Sequence, residues 1–491
     1  MTDRHRPGSA ALRRFLAPGE LGAIRGQRLP LAAVLRARVE LRTLDIRLLL
    51  GQAQEVDAAA GRLAGSFDAD VAPALVGDCW GLQIEASLMR SDYPAMERLS
   101  RQCIDLHRRA GDRSGEASRL NGLGVALEDT GRKEQALELY RQALALFRAL
   151  GDQGGIGNSL VNVATVLGGL GQDAEAERAF REAIRILGSC GNKGTQAFAY
   201  SNYSVLLCRQ RRWDEAIAAL ARSRQIAERI GDRYGLAFSL ANGAGILARR
   251  GSWGEAERAW RQAIALRRGI GERLYLSLDC LNLAALLQQQ GLFAESAGLL
   301  HDAIALGRAV GEQWIATRGL LSLAEASGLQ GDHAGMRRQL DEAVQADGDA
   351  AQVVWYQLLR AECALAQDRG DEAAAAIDGL APRYGAMRPE HQCELHQLRA
   401  RSAARRGAAA GTVDGDYGQA LAIARGNGDP YLEAVALYHQ GAWQRRSGAP
   451  WSATLDRAER LFSELGAGHW LEKVRALKDP ARQERSPTTI G

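Results

Sequence analysis

The chain has 491 residues, a net charge of +4, only 11 prolines, and 9 Trp, 11 Tyr and 8 Phe against a background rich in Ala, Leu, Arg, Glu and Gln. Those are strong helix formers, so composition points to an all-α chain. The small net charge excludes a dedicated nucleic-acid coat or a polybasic membrane binder, and no apolar run approaches the roughly 20 residues that span a bilayer.

The first segment, 1–30, reads as a basic, flexible N-terminal arm. Up to residue 50, ten Arg stand against Asp3, Glu20, Glu40 and Asp45. Such an arm could touch phosphates or acidic partners, or be a solvated leader. Phe15 is its only aromatic, so the stacking platform of a single-strand binder is missing. Ala10-Ala11-Leu12 runs straight into Arg13-Arg14, which breaks the apolar core a secretion signal needs. The Arg-rich leader leaves a transit peptide open. Seven cysteines, odd in number and without a C-x-x-C pair, read as reduced core thiols in a cytoplasmic protein.

Residues 31–110 are expected to form N-terminal helical hairpins, the first over 31–70 with its small residues out of phase. From 111 to 350 a doublet recurs every forty residues: Gly111-Asp112, Gly151-Asp152, Gly191-Asn192, Gly231-Asp232, Gly271-Glu272 and Gly311-Glu312. A fixed period of this size marks a solenoid. A second turn near the middle of each unit carries Gly131, Gly171, Gly251, Gly291 and Gly331, with Arg211 in the odd one out. Glycine suits the left-handed position that ends a helix, and the following Asp or Asn can cap the next. Six regular 40-residue helical hairpins follow.

The second helix of each hairpin carries Ala136, Ala176, Ala216, Ala256 and Ser296, then Ala143, Ala183, Ser223, Ala263 and Ala303 seven residues on. Between them stand Tyr140, Phe180, Leu220, Trp260, Leu300 and, in the last unit, Leu340. Small residues on one face admit a neighbouring helix, and the bulky ones interlock with it. From 351 to 466 the spacing slips, giving irregular hairpins over 351–368 and 372–380, 390–408 and 416–426, and 430–446 and 451–466. Residues 467–491 are read as a capping helix, 469–477, and a polar, disordered tail.

These columns resemble the tetratricopeptide repeat family. Trp80, Leu123 with Gly124, Gly131, Ala136, Tyr140 and Ala143 fall where its consensus places Trp, Leu-Gly, Gly, Ala, an aromatic and Ala. Trp213, Trp253 and Phe293 match its aromatic at the start of the second helix. The family's unit is about 34 residues; the forty-residue unit is similar to the long subgroup of Leu-Gly-Asn polarity adaptors and maltose-activator-type sensors. The resemblance covers 71–350. It implies a right-handed α-solenoid, a superhelix of about eleven antiparallel hairpins with the first helices lining the concave groove.

On those first helices Asn162, Asn202, Asn242 and Asn282 recur at the same period. An amide ladder can pair with the peptide groups of a bound chain or with neighbouring helices; the resemblance implies contact with peptide. Positions expected to face the groove include Val125, Val161, Thr165, Phe198, Val205, Phe238, Ala241, Leu278, Leu281 and Ala285. Glu128 and Asp129 stand at one edge, with Arg209, Arg249 and Arg318 further along, and an Arg can pair with a carboxylate. The Lys-Asn pair that family members use for a C-terminal acid is missing.

Chemistry finds little support. Gly188-Ser-Cys-Gly-Asn-Lys-Gly-Thr195 has its Lys before the Gly and no strand ahead of it, unlike a phosphate loop. His391, Cys393 and His396 form the one His/Cys cluster, short of the four ligands a structural zinc needs. No cofactor, metal site or catalytic group is expected. Regulators with similar repeats carry an NTPase module before them and a helix-turn-helix after them. Residues 1–30 are too short for the one and 467–491 too polar for the other, so a catalytic or DNA-binding partner is expected on a separate polypeptide. The expected function is a non-enzymatic scaffold or adaptor holding a protein or peptide segment in its groove. The alternatives are an effector-sensing regulatory subunit and an enzyme with a site in 351–470. The partner and the oligomeric state are not legible.

Overall fold

The computed structural model describes residues 28–49, 53–89 and 92–479. The basic arm up to residue 27 and the tail from residue 480 lie outside the described residues.

Among the described residues the chain is all-α. Its helices are α1 (Leu31–Leu49), α2 (Ala53–Gly65), α3 (Pro73–Met89), α4 (Tyr93–Arg109), α5 (Arg113–Asp129), α6 (Lys133–Leu150), α7 (Gln153–Gly169), α8 (Asp173–Ser189), α9 (Lys193–Arg209), α10 (Trp213–Ile230), α11 (Arg233–Arg249) and α12 (Trp253–Ile270). They continue as α13 (Leu274–Gln290), α14 (Phe293–Val310), α15 (Gln313–Leu329), α16 (His333–Ala346), α17 (Val354–Ala366), α18 (Gly370–Gly379), α19 (Pro389–Arg405), α20 (Ala410–Asn427), α21 (Pro430–Ser447), α22 (Ser452–Leu465) and α23 (Gly468–Lys478). Odd and even helices are the first and second members of eleven hairpins, and α23 follows the last. Hairpin partners such as α5 with α6, α7 with α8, α13 with α14 and α19 with α20 pack side by side. No described helix is long and apolar enough to cross a membrane. The chain divides into two compact units, residues 1–235 and 236–491.

The turn chemistry explains the regularity. Gly151 ends α6 with φ 69°, and the N–H of Asp152 reaches back to the carbonyl of Phe147, closing the helix in the left-handed cap that favours glycine. The Asp152 carboxylate then accepts the N–H of Gly155 at 3.0 Å and starts α7. Asp112, Asn192, Asp232 and Asp332 cap their helices in the same way. Glu312 does not: its carboxylate accepts from Trp314 Nε1 instead, at 2.8 Å. Arg211 takes the glycine position with φ 63°, a conformation that costs an L-residue roughly 1–2 kcal/mol.

Packing follows the columns. Ala136, Ala176, Ala216, Ala256 and Ser296 are fully buried, as are Tyr140 and Leu300, and Phe180 and Trp260 are nearly so. Gly124 is required by this packing, because a Cβ there would lie 2.5 Å from Tyr140 Cε1. Each buried large side chain contributes roughly 1.5–3 kcal/mol.

The second unit folds back on itself. The ring of Trp253, at the start of α12, lies 5.7 Å from that of Tyr431 on α21. Phe293 meets His469 edge-on at 5.0 Å, and His469 Nε2 and Lys473 Nζ both donate to the carbonyl of Leu329, at 3.0 and 2.9 Å. Trp470 stacks on Phe462 at 5.4 Å and donates from Nε1 to the Tyr431 hydroxyl at 3.0 Å. One apolar core therefore runs from Ala244 to Val474. The expected capping helix, α23, seats on the turns after α13 and α15 as well as on the last hairpin.

Candidate functional site

In the first unit, three columns at forty-residue spacing share one accessible face of α5, α7 and α9. They are Ser118, Asn158 and Phe198; Gly122, Asn162 and Asn202; and Val125, Thr165 and Val205. Val125 is 42% exposed and Val205 50%, unusual for valines on otherwise buried first helices. Asn202 Nδ2 donates to Thr165 Oγ1 at 3.4 Å, tying α9 to α7. Its amide oxygen remains for another donor. Asn162 is half-buried and makes no hydrogen bond among the described residues. Arg209 is committed: it donates to the Gly168 carbonyl and to the Asp173 carboxylate of the preceding hairpin. Glu128 accepts from the buried Tyr140 hydroxyl at 3.1 Å, while the side chain of Asp129 lies outside the described residues.

Two facings differ from expectation. Val161 and Leu281 belong to the core, at 0% and 2% exposure. A position one residue from an amide column turns by about a quarter of the helix, enough to exchange groove for core.

In the second unit, Phe238, Asn242, Asn282 and Arg249 sit on α11 and α13. Phe238 packs edge-on against Tyr275 at 5.9 Å. Asn282 Oδ1 accepts from Arg318 Nη2 of α15 at 3.2 Å, so this amide also bridges neighbouring first helices. Arg249 is exposed, and its charge only partly offsets the burial that pushes the Asp429 carboxyl up.

This unit also encloses charged groups that column reading passed over. Glu362 on α17 and Arg401 on α19 form a two-pronged ion pair, with the longer arm at 2.8 Å. Burial works against both charges, but the pair outweighs it, holding the Glu362 carboxyl down at about 2 and keeping Arg401 charged. Glu325 on α15 and Glu394 on α19 have no such partner. Burial raises Glu325 to about 7; Glu394 is pushed up by burial and by the nearby Glu325 and Glu362. His439 on α21 is held neutral, pushed down to about 3 by burial and by Arg401, and His391 falls to about 4 through burial and Arg388. By accessible surface Glu325, Glu362 and Glu394 are only partly buried. The signal was present in one column: Thr165, Val205, Gly245 and Ala285 are small or apolar, and Glu325 breaks the series.

The remaining candidates are structural in their contacts. Lys193 Nζ donates to Gln196 and to the Gly188 carbonyl within an ordinary turn. His396 bridges Asp416 at 2.8 Å and the Tyr384 hydroxyl at 3.0 Å, and Cys393 donates to the Ala420 carbonyl. His391 lies against Arg388 instead, so the three do not converge.

Comparison with known proteins follows the same lines. One tetratricopeptide repeat model matches residues 85–149 and 195–269, and a second matches 157–187 and 280–311. No curated protein sequence matches. Among solved structures, the chain is similar to a Rap protein complexed with competence and sporulation factor, at 14% identity over 74% of this chain and 99% of that one, with a TM-score of 0.49. It is also similar to aspartyl phosphate phosphatase F from Bacillus subtilis (11% identity, 70% and 92% coverage, TM-score 0.47). A signal transduction ATPase with a tetratricopeptide repeat sensor from Pyrococcus horikoshii matches at 14% identity, 88% and 54% coverage and a TM-score of 0.41. Hairpins repeating every forty residues, the Gly124–Tyr140 contact, the buried Ala columns and the matched repeat models together identify tetratricopeptide repeats within residues 85–311.

Proposed function

We propose that the protein is a non-enzymatic adaptor that holds a peptide or an extended protein segment against the first-helix face of α5, α7 and α9. The observation that carries this reading is the exposed pair Val125 and Val205 alongside Asn162 and Asn202. Aliphatic side chains left in water on an otherwise buried helix row gain free energy from a partner's apolar groups. Amides between them can exchange hydrogen bonds with its backbone whatever its sequence. The bond from Asn202 to Thr165 favours a double role, in which the column steadies the stack and keeps its carbonyl oxygen for the ligand.

Arg209, already bound to Asp173, supplies electrostatic bias rather than a clamp for a terminal carboxylate. Six of the seven cysteines are buried and all are free thiols, which suits a reducing, cytoplasmic setting.

The test uses a randomised 12-residue peptide library selected against the immobilised chain. A selected peptide should lose at least tenfold in affinity for the Asn162→Ala, Asn202→Ala double variant, with the helical circular-dichroism signal intact. Unchanged affinity in a folded double variant would remove the groove mechanism. A second reading, a sensor whose array responds to a small effector, is favoured by the charged groups Glu325, Glu362, Glu394 and Arg401 carried on first helices of the second unit. It requires a ligand-dependent change in scattering radius.

A further inference from the structure

The two most exposed large apolar side chains among the described residues lie outside the peptide face: Val39 is 68% exposed and Ile46 59%. Both stand on α1, seven residues apart, with Leu31 and Leu35 on the same side of the helix. The opposite side of α1 carries Val34, Ala37, Leu41, Leu44 and Leu48, all buried against α2 and α3. This helix is therefore apolar on two sides, the pattern of one packed between two layers. A contiguous apolar stripe left in water marks a surface that another group covers.

We infer that this stripe is the docking site of residues 10–16 of the same chain, which lie outside the described residues and seat as a short amphipathic helix on Leu35, Val39 and Ile46. The sequence ahead of α1 supplies the matching face. Leu12, Phe15 and Leu16 have the i, i+3, i+4 spacing that puts three apolar groups on one side of a helix, with Arg13 and Arg14 turned away from it. The chain between Leu16 and Leu31 spans up to roughly 50 Å. With 19 residues, α1 is about 28 Å long, so every point of the stripe is within reach. Tethering holds the segment at an effective concentration on the order of millimolar, enough to populate a weak apolar contact. Charge disfavours a membrane as the occupant: Arg36, Arg42 and Arg47 beside the stripe are interspersed with Glu40 and Asp45, so the helix lacks the one-signed field of a lipid-binding surface. The second unit shows the same device at its own last hairpin, where the short helix α23 buries Trp470 and Val474.

The test places a photoreactive phenylalanine analogue at Val39 in the full chain and maps what it captures, using an equal mixture of isotopically light and heavy protein. Capture of residues 10–16 within one copy is expected. In parallel, amide exchange over 31–49 should speed up at least threefold in the Leu12→Ser, Phe15→Ser, Leu16→Ser variant, whose substitutions all lie outside the described helices. Cross-links between light and heavy copies would assign the stripe to a dimer and overturn the inference. Co-sedimentation of the full chain with phosphatidylserine vesicles that is lost in the Val39→Ser, Ile46→Ser variant would assign it to a membrane, with the same consequence. Capture of no part of 10–16, or exchange unchanged in the triple variant, overturns it as well. None of these results bears on the face of α5, α7 and α9, which contains no residue of α1.

Discussion

The regular array over 111–350 and the slipped hairpins after it place most of their charges in opposite ways. Along the second helices of the array, ion pairs 34 residues apart repeat: Arg141–Glu175, Arg148–Glu182, Arg261–Glu295, Arg268–Asp302 and Arg308–Glu342, at 2.7–3.6 Å. All lie about half in water, where such a pair contributes at most about 1 kcal/mol. After residue 351 the charges turn inward, as Glu362, Glu394, Arg401 and His439 on first helices. A strict register keeps most ionic groups outside and cheap, the buried Arg267–Asp279 pair at 2.7 Å being the exception. A slipped one, closed by α21–α23, concentrates them where each missing partner is costly.

The strongest way to break this contrast is Trp470→Ala, which removes the side chain joining α23 to Phe462 and Tyr431. A buried Trp replaced by Ala costs about 3–5 kcal/mol. Hydrogen exchange should show lost protection over 236–478 and unchanged protection over 113–230; equal loss in both would mean that the return packing is not local to the second unit. Next, Arg401→Met strands the Glu362 carboxylate and should cost about 3 kcal/mol, whereas Arg148→Met should stay within about 0.5 kcal/mol. Urea midpoints of the two variants measure the gap directly.

A pH series sharpens the contrast further. Glu325 is raised from its ordinary 4.5 to about 7 in the folded chain, so its contribution to stability is complete below about pH 4.5 and lost as pH rises through about 7. Glu325→Gln should match the wild type below pH 4.5 and exceed it at pH 8 by up to about 3 kcal/mol. His391 and His439, depressed in the fold, contribute stability above about 6.5 that is lost as pH falls through about 4 and 3. They act equally in both proteins and cancel from the difference. The smallest effect belongs to the array: Arg211→Gly relieves the left-handed backbone, offset by glycine's entropy, for a gain of about 0.5–1 kcal/mol in the urea midpoint.

Most of the array was legible because each of its determinants is local. Gly151 and Asp152 specify a cap through atoms a few residues apart, and Gly124 opposite Tyr140 specifies a packing contact within one hairpin. The facing of Val161 and Leu281 was not legible, since one residue of phase separates groove from core and nothing local fixes it. Glu325 was readable only as a break in its column. Its enclosure depends on α21–α23 returning to the turns after α11, α13 and α15, a contact between residues some 140 positions apart. The Asn column was legible as a column, but its bonds to Thr165 and Arg318 depend on how neighbouring first helices lean together.

The central claim, that α5, α7 and α9 present the ligand face, is tested most directly by site-specific photo-crosslinking. A photoreactive phenylalanine analogue is placed at Val205 on the first-helix face, and in a second protein at the exposed Arg185 of α8. A library-selected peptide should be captured from Val205 and not from Arg185, with an excess of unlabelled peptide abolishing capture. Capture from Arg185 with none from Val205 would contradict the account.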